Sequence, residues 1–179
     1  MVTATTARPA TDEYIPYYGR YIALVPDGEL VATLARQGEE TAALLESFSP
    51  AQAQYRPAPG EWNTVEIVGH LADIERVFAY RALRIARRDP KPLEGVDDVD
   101  GYVAAAGFAE RSLADVAAEF AAVRQATLAL FRSLDAAAWV RVGTADGNAI
   151  SVRALGYIAA GHELHHLADI HRYRERAGA

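Results

Sequence analysis

The stretch GHELHHLADIHRY, residues 161–173, holds four of the chain's five histidines. Imidazoles this dense can ligate a metal, act as a base with its supports, or lie along a wetted helix face. Placed on a helix at about 100° per residue, Leu155, Ile158, Ala159, Ile170 and Tyr173 form one stripe centred near the direction of His166. His162 lies roughly 40° from that centre, His165 roughly 100° away at the margin, and His171 on the far side. His162 and His166 therefore point inward from consecutive turns. Earlier in the chain, His70 shares a second stripe with Ile67, Ile74 and Val77.

Three inward histidines on two helices are hard to explain as packing. Their six ring nitrogens all need partners once buried, and a single metal ion satisfies three of them. Three neutral imidazoles with an open further position make a catalytic rather than a closed structural geometry. Zinc is the default ion, and nickel, iron or manganese also accept nitrogen ligands. Asp73 and Glu66, each one turn from His70, are candidates to orient a ligand ring.

The same stretch matches H-E-x-x-H at His162, Glu163 and His166, the zinc-protease pattern in which the glutamate is the base. A protease is not expected: only 13 residues follow His166, and His171 stands at the wrong spacing with no glycine between. Glu163 falls roughly 60° from the stripe centre, which leaves it a catalytic candidate beside the metal together with Asp73.

These residues need helices to hold them, and the chain supplies four. The first periodic segment runs from about Gly28 to Phe48. The second opens at NTVE, where Asn63 caps and Glu66 completes a capping box, and runs to about Arg88. The third opens at SLAD on Ser112, and the fourth begins near Ser151. Almost nothing alternates as strands do; TADGNAIS alone could turn as a small hairpin. An all-α four-helix bundle is expected, with long loops at 49–62, 89–111 and 135–150. Residues 1–27 read as a tail and aromatic lead-in, and residues 28–176 as the metal-binding domain. The lead-in EYIPYYGRYIALV, residues 13–25, is suited to wrap the bundle or to form a homodimer contact.

Composition narrows the functions. The 179 residues carry a net charge of −6, which argues against broad binding to nucleic acid. Cysteine is absent, removing disulfides, thiolate ligands and any protein-borne thiol nucleophile. No apolar run approaches a membrane span, and MVTATTARPATD does not read as a secretory signal, so a cytoplasmic location is expected.

PAPGEWNTVEIVGHLADIERVFAYR (residues 57–81) and GNAISVRALGYIAAGHELHHLADIHRY (residues 147–173) together resemble the two signature segments of the DinB-like (DinB/YfiT) metalloenzyme family. The likeness spans about residues 28 to 176. It implies a bundle of up-down-down-up connectivity and a divalent metal held by His70, His162 and His166. Relatives in that family include transferases that use low-molecular-weight thiols. The expected function is thus a metal-dependent transferase taking such a thiol and a small-molecule substrate. Metal-dependent hydrolysis and a non-catalytic, metal-stabilised binding bundle are the alternatives.

Overall fold

The computed structural model describes residues 7–177. Capping chemistry sets where its long helices begin. Asn63 accepts from the Glu66 amide at 2.9 Å while Glu66 accepts from the Asn63 amide at 2.8 Å, opening a 23-residue helix. Ser112 caps another by accepting from the Asp115 amide. Each such cap is worth about 1 kcal/mol.

In chain order the elements are α1 (Gly19–Ile22), α2 (Leu30–Glu46), α3 (Pro50–Gln54), α4 (Thr64–Ala86), α5 (Val99–Ala106), α6 (Leu113–Arg132), α7 (Ala136–Trp139), β1 (Val142–Ala145), β2 (Asn148–Ser151) and α8 (Val152–Ala177). The four long helices, α2, α4, α6 and α8, are the four periodic segments of the sequence. TADGNAIS does form a hairpin: β1 pairs antiparallel with β2 across Asp146 and Gly147, both at positive φ (51° and 69°), as a tight two-residue turn requires.

The apolar core is split in two, and the split gives the connectivity. One cluster holds Leu34 of α2, Phe78 of α4, Leu128 of α6 and Ile158 of α8. The other holds Leu45, Leu71, Phe120 and Ile170 of the same four helices. Near their junction every helix carries a buried polar position: Gln37 and Thr41, His70 and Glu75, Arg124, and His162 with Glu163. α2 and α8 run from the first cluster to the second, and α4 and α6 run from the second to the first. That order is up, down, down, up. α4 packs mainly on α6 and α8, and α2 packs on the same two helices.

Because α4 and α6 run the same way, the chain must return along the bundle between them. Residues 87–112 make that crossing, from Leu93 in the first cluster to Val103 and Phe108 in the second. The aromatic lead-in is not a separate tail. Tyr21, Ile22 and Val25 are buried in the first cluster, and α1 packs on α8. A Cβ on Gly161 would stand 2.0 Å from the Tyr21 carbonyl oxygen, so only glycine permits this approach. Among the described residues no helix is long and apolar enough to cross a membrane.

Candidate metal centre

His70 leaves the inner face of α4, and His162 and His166 leave that of α8. Their rings converge. The Nε2 atom of His162 lies 3.1 Å from Nε2 of His70 and 3.1 Å from Nε2 of His166. One ligand nitrogen from each ring falls within 4.8 Å of the others. His70 and His162 are buried and His166 nearly so.

Protons alone serve this cluster poorly. An imidazole nitrogen has one lone pair or one N–H, yet His162 Nε2 faces two other ring nitrogens at hydrogen-bond distance. A cation in the middle resolves the conflict. For metal–nitrogen bonds of about 2.0–2.1 Å, tetrahedral ligands stand roughly 3.3–3.4 Å apart, close to the two spacings around His162; the His70–His166 pair is wider, within 4.8 Å.

The rings are also in the right protonation state. Burial, then the nearby His166, holds His70 down to about 3. Burial, then His165, holds His166 down to about 4. Burial, with His166 and His70 adding to it, keeps His162 well below the usual histidine range. All three are neutral at physiological pH, as a ligand imidazole must be.

The triad opens on a cavity of about 600 Å³. Ile74, Val77 and Phe78 of α4 form its floor, and Tyr17, Tyr18 and Tyr21 of the lead-in form a wall. Trp62, just before the α4 cap, lies with its ring centroid 4.8 Å from that of His70 and stacks on His166 at 6.4 Å. Helical periodicity points to neither Trp62 nor the tyrosines. Trp62 lies in the signature segment 57–81, directly before the cap Asn63.

The remaining candidates are placed elsewhere. Glu163 points away from the triad. Its carboxylate pairs with Arg124 at 2.9 Å and accepts from the Thr41 hydroxyl at 2.7 Å, fully buried. Burial keeps that carboxyl above its ordinary range, against the opposing pull of Arg124 and Thr41. The expected role beside the metal is therefore corrected: Glu163 belongs to an internal ion network that also holds Glu75, bound to Arg124 at 2.9 and 2.7 Å. Asp73 pairs with Arg76 at 2.9 Å and does not line the cavity. Glu66 is consumed by the cap and by Arg56 at 2.7 Å.

Neither carboxylate orients a ligand ring, and the buried Nδ1 of His166 has no hydrogen-bond partner among the described residues. His165 is exposed, edge-on to Tyr21 and 5.1 Å from the His166 ring, on the cavity wall. His171 is exposed, as its angle predicts.

Comparisons with known proteins agree with the fold. A family model described as the DinB superfamily matches residues 33–170. Among solved structures, YfiT from Bacillus subtilis, described as "a probable metal-dependent hydrolase with an unusual four-helix bundle topology", superposes with a TM-score of 0.70. The two are 18% identical, and the match covers 95% of this chain and 93% of that one. No curated protein matches the sequence.

Proposed function

The chain belongs to the DinB superfamily, and we propose that it is a divalent-metal-dependent enzyme acting on a small molecule, a transferase that uses a low-molecular-weight thiol. The observation that carries the metal-dependent reading is the convergence of three neutral Nε2 atoms on one point at the end of an open cavity. His70, His162 and His166 would hold the ion; zinc suits three imidazoles first, and nickel, iron or manganese also fit. Bound there, the cation supplies a Lewis-acidic position that lowers the pKa of a coordinated thiol.

The chain's own residues shape the rest. Aromatic and aliphatic side chains make most of the surface on the ligand side of the triad apolar. The three carboxylates the sequence offers as bases or ring-orienting groups, Glu163, Asp73 and Glu66, are all paired elsewhere. A nucleophile that arrives acidic enough to lose its own proton suits such a site, and a thiol does so more readily than water. With no cysteine in the chain, that thiol must come with the substrates.

Hydrolysis is the second reading, and one observation favours it. His165 stands exposed on the cavity wall next to His166, where an imidazole could accept a proton from water. The test is to load the protein with cobalt and titrate low-molecular-weight thiols. A sulfur-to-cobalt charge-transfer band in the near ultraviolet, together with thiol-dependent turnover of an electrophile, supports the transferase. If no thiol perturbs the spectrum at millimolar concentration, the transferase reading is abandoned for hydrolysis.

A further inference from the structure

Two arginines are buried in this bundle, and their surroundings differ. Arg124 is 1% exposed and lies between two carboxylates, Glu75 and Glu163. Arg81 is 4% exposed, yet among the described residues no carboxylate lies within 4 Å of its guanidinium. Among the described residues its one hydrogen bond runs from Nη2 to the Glu94 carbonyl at 2.6 Å, and its buried Nε has no partner. A buried guanidinium without a counter-charge is costly, so its place in the fold calls for a reason.

Arg81 lines the same cavity as the histidine triad. It follows His70 by eleven residues on α4, three turns further along the same face and about 16 Å along the axis. Ile74, Val77 and Phe78 lie between them. The cavity thus runs from a cluster of metal-type ligands, over an apolar floor, to a positive group anchored on the Glu94 carbonyl. The acidic residue on the lining is Asp146, an exposed turn residue not paired with Arg81; solvent screens its charge.

We infer that Arg81 is an anion-binding residue of this cavity, and that the small molecule it takes carries a carboxylate or phosphate at the end remote from the triad. The inference rests on the proposed function for the identity of the other end, but the anion site itself does not need the metal. A guanidinium already held at one nitrogen and short of partners at another can offer an oxyanion two donors in a fixed fork. Such an anion would supply the missing counter-charge, and the aliphatic floor fits an apolar chain behind it.

The experiment uses eight-carbon probes on the full-length protein, metal-free and metal-loaded, with binding read by titration calorimetry. Octanoate or octyl phosphate should bind the wild type at least about tenfold more tightly than octanol, and the tighter of the two identifies the anion. Arg81→Gln should abolish that preference, and Arg81→Lys, which keeps the charge but loses the fork, should retain part of it. A wild type that does not prefer the anions, or a preference surviving Arg81→Gln, overturns the inference. Should Arg81→Gln fail to fold, an anion preference in Arg81→Lys equal to that of the wild type overturns it. Metal content measured on the same samples separates the two readings. Protein that takes no metal yet prefers the anions refutes only the proposed function. Protein that takes metal without that preference refutes only the anion site.

Discussion

His162 and Glu163 are consecutive in the chain and, about 100° apart on α8, serve different neighbours: the imidazole meets His70 at 3.1 Å, and the carboxylate meets Arg124 at 2.9 Å. The H-E-x-x-H pattern here therefore joins a ligand site to a structural ion network. Removing the Arg124 charge leaves two buried carboxylates facing each other, so Arg124→Leu should cost about 3–5 kcal/mol. Glu163→Gln leaves Arg124 paired with Glu75 and should cost less, about 1–3 kcal/mol. Urea unfolding measures both. A Glu163→Gln protein of unchanged stability but abolished activity would restore the catalytic role that the geometry removes.

Metal content should separate the histidines into two groups. His70→Ala, His162→Ala and His166→Ala each remove one converging nitrogen and should strip most of the metal, since an imidazole ligand is lost outright. His171→Ala, on the exposed face, should leave it unchanged, and His165→Ala should have a small effect. Elemental analysis after dialysis checks this, and equal loss in all five variants would show that the inward geometry does not define the site.

The bundle and the triad were legible because both follow from helical angle. Stripes at about 100° per residue place His70, His162 and His166 inside, and the Asn63 and Ser112 caps set two helix starts. The polar network was not legible. Arg124 follows Val123 directly, and a stripe drawn through apolar residues passes over a charge that is buried only because Glu75 and Glu163 reach it from two other helices. Asp73 and Glu66 went astray for a related reason: Arg76 and Arg56 compete for them, and nothing in their spacing from His70 shows that. The lead-in has a single turn of helix at Gly19–Ile22, too short for a period to reveal that it packs into the core.

Acid should destabilise the metal-free protein. The three rings titrate near 6.5 in the unfolded chain, but in the fold His70 and His166 are held at about 3 and about 4, and His162 is also depressed. Between about pH 6.5 and those folded values the unfolded chain binds protons that the native protein does not, so stability falls as pH drops. Each pH unit over which one ring is neutral folded and protonated unfolded costs about 1.4 kcal/mol. Thermal midpoints of the chelated protein should be flat above pH 7 and decline below about 6.5. Bound metal should raise them most at neutral pH, and progressively less in acid as protons compete for the ligands. A midpoint that rose on acidification would contradict the neutral assignment.

Gly161 tests the coupling between the lead-in and the triad. Gly161→Ala sets a methyl against the Tyr21 backbone, which must move, and Tyr21 packs edge-on to His162 with centroids 5.4 Å apart. The variant should lose about 1–3 kcal/mol and become cleavable by protease within residues 13–25. Bundle helicity by circular dichroism should be retained. Protease resistance equal to the wild type would mean that the segment is not held by this approach.

Trp62 stands between two cavities that both reach His166: the large one, and a second of about 320 Å³ lined by Gly60, Asp100 and Asp169. Its indole covers His70 and His166 together, so its removal should open the triad from a second side without taking away a ligand. Trp62→Ala should therefore keep its metal at equilibrium in buffer but surrender it to a chelator several-fold faster than the wild type. Trp62→Phe, which preserves a ring over His70, should behave nearly as the wild type. The stability cost of Trp62→Ala should stay near 1–2 kcal/mol, because the side chain is only half-buried, below the roughly 3–5 kcal/mol typical of a core tryptophan. Trp139 supplies the control. It is buried against Phe131 at the far end of the bundle, so Trp139→Ala should pay that larger cost and leave the chelation rate of the folded fraction unchanged. Equal chelation rates for Trp62→Ala and the wild type would show that the indole does not shield the triad.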